Sequence, residues 1–245
     1  MRLIVTRPEP DATALRAPLI AMGHEVLVEP LLRVAFHSLD AQEIDFEEAQ
    51  GLVATSRNGV RALASSPCLD IAVGLPLYAV GPGTAETARA LGFQDVVQGP
   101  RDARGLIGFV ADHAQVNGGS LIYLAGETRA VDMGGELRRM GFHVQEPIVY
   151  SVIAAERLSE AIVARFEAGE VDGVLLMSPR TAKTYARLVL GHGVASKALG
   201  AIHYCLSPAV ARGLAALGDP RIAIASQPDL KSLLALVARG VSNLP

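Results

Sequence analysis

Apolar runs of strand length alternate with stretches of helical periodicity along almost the whole chain. The runs are RLIVT from Arg2, EVLVE from Glu25, GLVAT from Gly51, LYAV from Leu77, DVVQ from Asp95 and LIYLA from Leu121, followed by HVQEPIVY from His143, GVLLM from Gly173, IHYCL from Ile202 and RIAIA from Arg221. Helical stretches lie between most of them. Continuous apolar strands alternating with helices predict parallel sheets covered on both faces. Two segments depart from the pattern: EPLLRVAFHSL from Glu29 and EPIVYSVIAAE from Glu146 are extended and not followed at once by a helix. They read as a pair of linker strands. QVNGGS from Gln115 reads as a turn inside one domain.

The order of elements occurs twice. MGHEVLVEPLL from Met22 matches MGFHVQEPIVY from Met140, and GLVATSRNGVRAL from Gly51 matches GVLLMSPRTAKTY from Gly173. YAVGPGTAETARALG from Tyr78 matches YCLSPAVARGLAALG from Tyr204, and GPRDARGLIGFV from Gly99 matches SQPDLKSLLALV from Ser226. The offset between partners is nearly constant. A tandem duplication of an α/β unit accounts for this, and it predicts two similar α/β domains with a ligand cleft between them.

The candidate chemistry lies in the turns after the strands. These hold Arg7-Pro8, Ser56-Arg57-Asn58, Gly81-Pro82-Gly83-Thr84, Gly126-Glu127-Thr128-Arg129, Ser178-Pro179-Arg180-Thr181 and Ser207-Pro208. In a wound parallel sheet the carboxyl ends of the strands share one edge, where ligands bind. Each turn is expected to open a helix, and so to present unpaired N–H groups and the positive end of a helix dipole. Arg7, Arg57, Arg129 and Arg180 are expected at the rim. The arrangement suits a large polyanion with several carboxylates. Ser, Thr and Pro at helix starts are equally ordinary caps, and exposed arginines are often simply solvated. Tyr150, a polar-tipped aromatic on the second linker strand, is the natural proton donor; packing is its other reading.

Composition narrows the function. Of 245 residues, 50% are hydrophobic, enough for a sizeable core, and the net charge of -3 gives no global attraction to nucleic acid or an acidic membrane. The two cysteines, Cys68 and Cys205, read as buried reduced thiols. The N-terminus reads as a strand and a turn, no apolar run reaches the roughly 20 residues of a membrane span, and a cytoplasmic, soluble protein is expected. The six histidines are scattered without metal-ligand spacing, so no metal is expected. At the Gly81 turn, Glu86 stands where a dinucleotide fingerprint has its third glycine, and no Gly-Lys-Ser/Thr follows. A nucleotide enzyme is disfavoured; a non-catalytic two-lobed small-molecule-binding protein is the alternative to an enzyme.

Taken together in order, VTRP, ATSRNGV, YAVGPGTAETARALGF, EPIVYSV, LLMSPRTA, LSPAVARGLAALG and QPDLKSLLALV resemble the uroporphyrinogen-III synthase family over nearly the whole chain. The resemblance implies that residues 1–30 join 155–245 in one discontinuous domain, that 38–146 form the other, and that 31–37 and 147–154 link them. It implies cofactor-free cyclisation of hydroxymethylbilane, with loss of water and inversion of the last pyrrole ring, to uroporphyrinogen III. It implies a monomer whose substrate is handed over by the preceding deaminase. On it Tyr150 assists departure of the hydroxyl, and Arg7, Ser56, Arg57, Gly81, Gly83, Thr84, Gly126, Arg129, Ser178, Arg180 and Ser207 bind substrate carboxylates. The Gly81 turn would take a propionate or acetate. Many relatives have hydroxyl residues after the second-repeat turn where this chain has Ala209 and Val210, so there Ser207 or backbone N–H groups would serve.

Overall fold

A computed structural model describes residues 1–39 and 44–240. Positions 40–43 and 241–245, which the expected domains include, lie outside the described residues. The strands are β1 (Arg2–Val5), β2 (Glu25–Val28), β3 (Leu32–Phe36), β4 (Ala49–Ala54), β5 (Leu77–Ala79), β6 (Val96–Gln98) and β7 (Ser120–Tyr123). They continue with β8 (Ala125–Gly126), β9 (Val144–Gln145), β10 (Ile148–Ala154), β11 (Gly173–Leu176), β12 (Ile202–Cys205) and β13 (Ile222–Ile224).

The chain divides into two compact units. Met1–Arg33 and Ile153–Pro245 make the first, Val34–Val152 the second. The first contains a parallel sheet of order β13-β12-β11-β1-β2. The second contains a parallel sheet of order β6-β5-β4-β7-β9. In each, the chain starts near the centre and winds both ways, so helices cover both faces.

The strands β7, β11 and β12 are buried at every position. Side-chain alternation splits these apolar runs between two cores per sheet. In the first unit, Ile4, Val174, Leu176 and Cys205 face one core while Leu3, Val5, Leu175 and Tyr204 face the other. In the second, Leu52, Leu77 and Ile122 face one core while Val53, Tyr78, Leu121 and Tyr123 face the other.

The linker segments β3 and β10 are neighbours in a third sheet of order β3-β10-β8. The His37 N–H donates to the Val149 carbonyl at 2.9 Å, and the Ala155 N–H to the Leu31 carbonyl at 2.9 Å. Their indices run in opposite senses, as in an antiparallel pair. The structure divides two of the expected strands. LIYLA is not one strand: it ends at Tyr123, and Ala125–Gly126 cross to pair in parallel with β10. HVQEPIVY is likewise two strands, because Pro147 has no N–H to continue a ladder. Among the described residues no helix is long and apolar enough to cross a membrane.

Candidate active site

Several polar side chains of the second unit lie at the carboxyl ends of β4, β7 and β8. A cavity of about 190 Å³ there is lined by Thr55, Ser56, Tyr123, Gly126, Thr128, Arg129 and Tyr150, with Ala103, Ala130, Val131 and Met133. Four of the expected residues, Ser56, Gly126, Arg129 and Tyr150, thus share one compartment.

Tyr150 enters from β10, opposite Gly126 in the ladder. The Glu127 N–H donates to the Tyr150 carbonyl at 2.9 Å and the Ala125 N–H to the Pro147 carbonyl at 3.1 Å. These bonds explain why the Gly126–Arg129 turn opens no helix, against expectation. Its backbone is taken up by the ladder, and the following helix, Met133–Arg139, starts later under an Asp132 cap.

The cavity also holds a second phenol. Tyr123 and Thr55 share a hydrogen bond of 3.1 Å between hydroxyls. Burial raises the Tyr123 pKa above its ordinary value, the Thr55 hydrogen bond opposes that rise, and the neighbouring Tyr150 adds to it. Tyr123 is therefore held as a neutral hydroxyl. Sequence reasoning missed both residues. Thr55 stands directly before Ser56 in ATSRNGV, and Tyr123 is hidden in an apolar run where it reads as core.

Arg129 is not a bare rim charge. Its Nε donates to the Gly126 carbonyl at 3.2 Å, and its guanidinium pairs closely with Glu146. Glu146 also meets Arg138 at 3.2 Å, so one carboxylate is shared by two arginines. Arg7 is likewise paired, with Asp11 at 2.7 Å. Its turn opens the helix Asp11–Ala21 only after the intervening Glu9 and Pro10.

The Gly81 turn opens the helix Pro82–Ala90, and Gly81, its N-cap, supplies no side-chain cap. The first N–H groups of this helix consequently have no capping oxygen of their own. A Cβ on Gly81 would stand 3.3 Å from the Arg101 Cα. Arg101 holds φ at +76°, and its N–H donates to the Val80 carbonyl at 2.6 Å. Such a left-handed non-glycine residue is uncommon. Gly83, by contrast, lies inside the helix without positive φ, and a Cβ there would meet only Arg57, at 3.7 Å. The Thr84 side chain is buried against this turn's core. Arg57 begins the helix Arg57–Ala62, where Ser56 caps by accepting from the Asn58 N–H at 3.0 Å.

The first unit repeats this pattern at the carboxyl ends of β11 and β12. Ser178 caps the helix Pro179–Gly191, accepting from the Thr181 N–H at 3.0 Å, with its hydroxyl 2.7 Å from the Thr181 hydroxyl. Arg180 lies in the first turn of that helix. Ser207 precedes the short helix Pro208–Ala211 and makes no side-chain cap. In both repeats, then, the turn after one strand is self-capped (Ser56, Ser178) and the turn after the next is open (Gly81, Ser207).

A uroporphyrinogen-III synthase (HemD) family model matches residues 13–235. The crystal structure of uroporphyrinogen-III synthetase from Helicobacter pylori is similar at 20% identity and a TM-score of 0.63, covering 98% of this chain and 99% of that one. A mutant uroporphyrinogen III synthase from the extremely thermophilic bacterium Thermus thermophilus is similar at 15% identity and a TM-score of 0.52, covering 98% of each chain. At these identities the structural likeness establishes the fold. No curated protein matches the chain significantly. With the family model spanning most of its length, the chain belongs to the uroporphyrinogen-III synthase family.

Proposed function

We propose that this chain closes hydroxymethylbilane to uroporphyrinogen III with Tyr150 as the proton donor. The phenol gives its proton to the departing terminal hydroxyl. The carbon–oxygen bond breaks and one water leaves, while the electron-rich pyrrole stabilises the carbon left behind. That carbon bonds to the substituted α carbon of the last ring, the ring's bond to its bridging carbon breaks, the bridging carbon re-bonds at the ring's free α carbon, and the proton lost there returns to the Tyr150 phenolate. The carrying observation is the placement of Tyr150 over Gly126 at a cavity that Thr55, Ser56 and Tyr123 also line.

Substrate carboxylates fall to the open helix starts. The Gly81 turn, with Gly83 and Thr84, presents N–H groups that no side chain caps, and a propionate or acetate accepting from them is favoured by the dipole. Ser207 and its turn serve the same role in the other repeat. Arg57 and Arg180 add charge beside the turns. Arg7 and Arg129, already paired, orient their surroundings and bind carboxylate only in exchange for Asp11 or Glu146. Ser56 and Ser178 act first as caps. The same reading has the chain working as a cytoplasmic monomer, with substrate handed over by the preceding deaminase.

The test is Tyr150→Phe, assayed for the rate of type III product formation beside its melting temperature. Positioned proton transfer is typically worth about 100- to 10,000-fold. A loss near the low end is expected, because the pyrrole already activates the leaving group. A loss below about threefold in a protein of unchanged stability would make Tyr150 a packing residue.

A further inference from the structure

Gly126 has no conformational reason to be glycine. It lies in a short strand paired in parallel with β10, and it is absent from the glycines with positive φ. Any residue can adopt such a backbone. The demand comes from across the ladder. A Cβ built on Gly126 would lie 2.6 Å from the Tyr150 Cζ, 2.7 Å from its hydroxyl oxygen and 3.0 Å from Cε2. Real Cβ atoms do not come so close. The Tyr150 ring therefore lies on the bare Cα of its cross-strand neighbour, and the hydroxyl end, not the ring's base, makes the tightest approach.

We infer that Gly126 is a positioning residue: the missing side chain at 126 is what allows the Tyr150 hydroxyl to sit in the cavity beside Thr55, Tyr123 and Arg129. This rests on the proposed role of Tyr150 and goes beyond it, because it removes Gly126 from the carboxylate ligands and gives it a part in the chemical step. Two bonds fix the surface on which the ring lies. The Glu127 N–H bond to the Tyr150 carbonyl sets the backbone spacing, and the Arg129 Nε bond to the Gly126 carbonyl closes the turn beneath it. With both strands fixed, a methyl group at 126 can be accommodated only by swinging the ring. A swing large enough to relieve these contacts moves the hydroxyl by about 1 Å or more, and displacement on that scale costs on the order of 100-fold in rate.

The experiment is a double-mutant cycle on Gly126→Ala and Tyr150→Phe. Its readouts are kcat and KM for type III product, and the melting temperature of each variant. Gly126→Ala is expected to lower kcat by about 100-fold while KM stays within about threefold. In the Tyr150→Phe background the same substitution should cost no further kcat, since no hydroxyl remains to misplace. Wild-type kcat in Gly126→Ala would overturn the inference. So would an equal loss in both backgrounds, which would mark a merely structural role. A Tyr150→Phe enzyme as fast as wild type would sink the proposed proton donor itself and the inference with it, whereas a slow Tyr150→Phe beside a fast Gly126→Ala would sink the inference alone. If Gly126→Ala folds poorly, Gly126→Ala with Tyr150→Val decides. Recovery of folding shows that the ring is what the methyl strikes, and failure in both backgrounds overturns the contact.

Discussion

Glycines record where side chains of other strands must go. Gly51 of β4 and Gly173 of β11 are partners in the sequence repeat, and each makes room for an equivalent tyrosine on the adjacent strand. A Cβ on Gly51 would meet the Pro76 carbonyl at 3.0 Å and Tyr78 at 3.2 Å, and one on Gly173 would meet Tyr204 at 2.7 Å and Leu3 at 2.9 Å. Gly173→Ala should therefore overpack a buried core and lower stability by about 1–3 kcal/mol, measurable by denaturant unfolding; no loss would mean that Tyr204 repacks freely. Gly83 tests the opposite case. Nothing in the fold requires it to be glycine, and Ala in its place favours the helix by up to about 1 kcal/mol. Gly83→Ala should keep or raise the melting temperature. A rise in KM beside it would locate substrate at the turn, and an unchanged KM would remove Gly83 from the carboxylate site. Ser56, Arg129 and Tyr150, which line one cavity, were legible as candidates because they stand beside turns or on a linker strand. Thr55 and Tyr123 were not: nothing in an apolar run distinguishes a tyrosine that packs from one whose hydroxyl meets a cavity. The pairing of Arg129 was equally hidden, since Glu146 is distant in the chain.

At the scale of elements, most strands are legible because their burial on both faces leaves continuous apolar runs. What the runs do not show is a change of sheet. The backbone from Tyr123 to Ala125 passes from one ladder to another without any break in hydrophobicity, and β8 was missed for that reason. Pro147 was the visible sign that HVQEPIVY is two strands. Helix starts also differ in a way that residue type alone does not reveal: Ser178 caps its helix and Ser207 does not. Ser178→Ala should cost about 1 kcal/mol of stability, as loss of an N-cap does, with KM nearly unchanged. A large KM effect with unchanged stability would make its hydroxyl a substrate ligand.

Across the whole chain, the repeat makes the two parallel sheets readable from sequence, and burial of a histidine in one of them contributes to the response to acid. His203 is fully buried in the first unit. One ring nitrogen lies 3.2 Å from the Arg221 carbonyl and the other 3.2 Å from the Tyr185 hydroxyl. A neutral ring satisfies both by donating from Nδ1 and accepting at Nε2. Burial, opposed by the Arg221 hydrogen bond, lowers its pKa to about 4. The unfolded chain thus binds this proton more readily than the folded one. Stability is full above the ordinary histidine value of about 6.5 and falls as pH drops towards about 4, by at most about 1.4 kcal/mol per pH unit. Melting temperatures between those limits check this, and His203→Gln should flatten the decline; an unaltered slope in that variant would assign it to other groups.

As a member of the uroporphyrinogen-III synthase family, this chain directs ring inversion. Unassisted closure of the bilane gives the unrotated type I isomer, so the isomer ratio reports the enzyme where total porphyrin does not. The purified chain, added to a deaminase generating hydroxymethylbilane, should shift the oxidised product to predominantly type III, in proportion to enzyme until supply of the bilane limits. Type I product at every enzyme concentration, from folded protein, would show that the chain does not invert the ring.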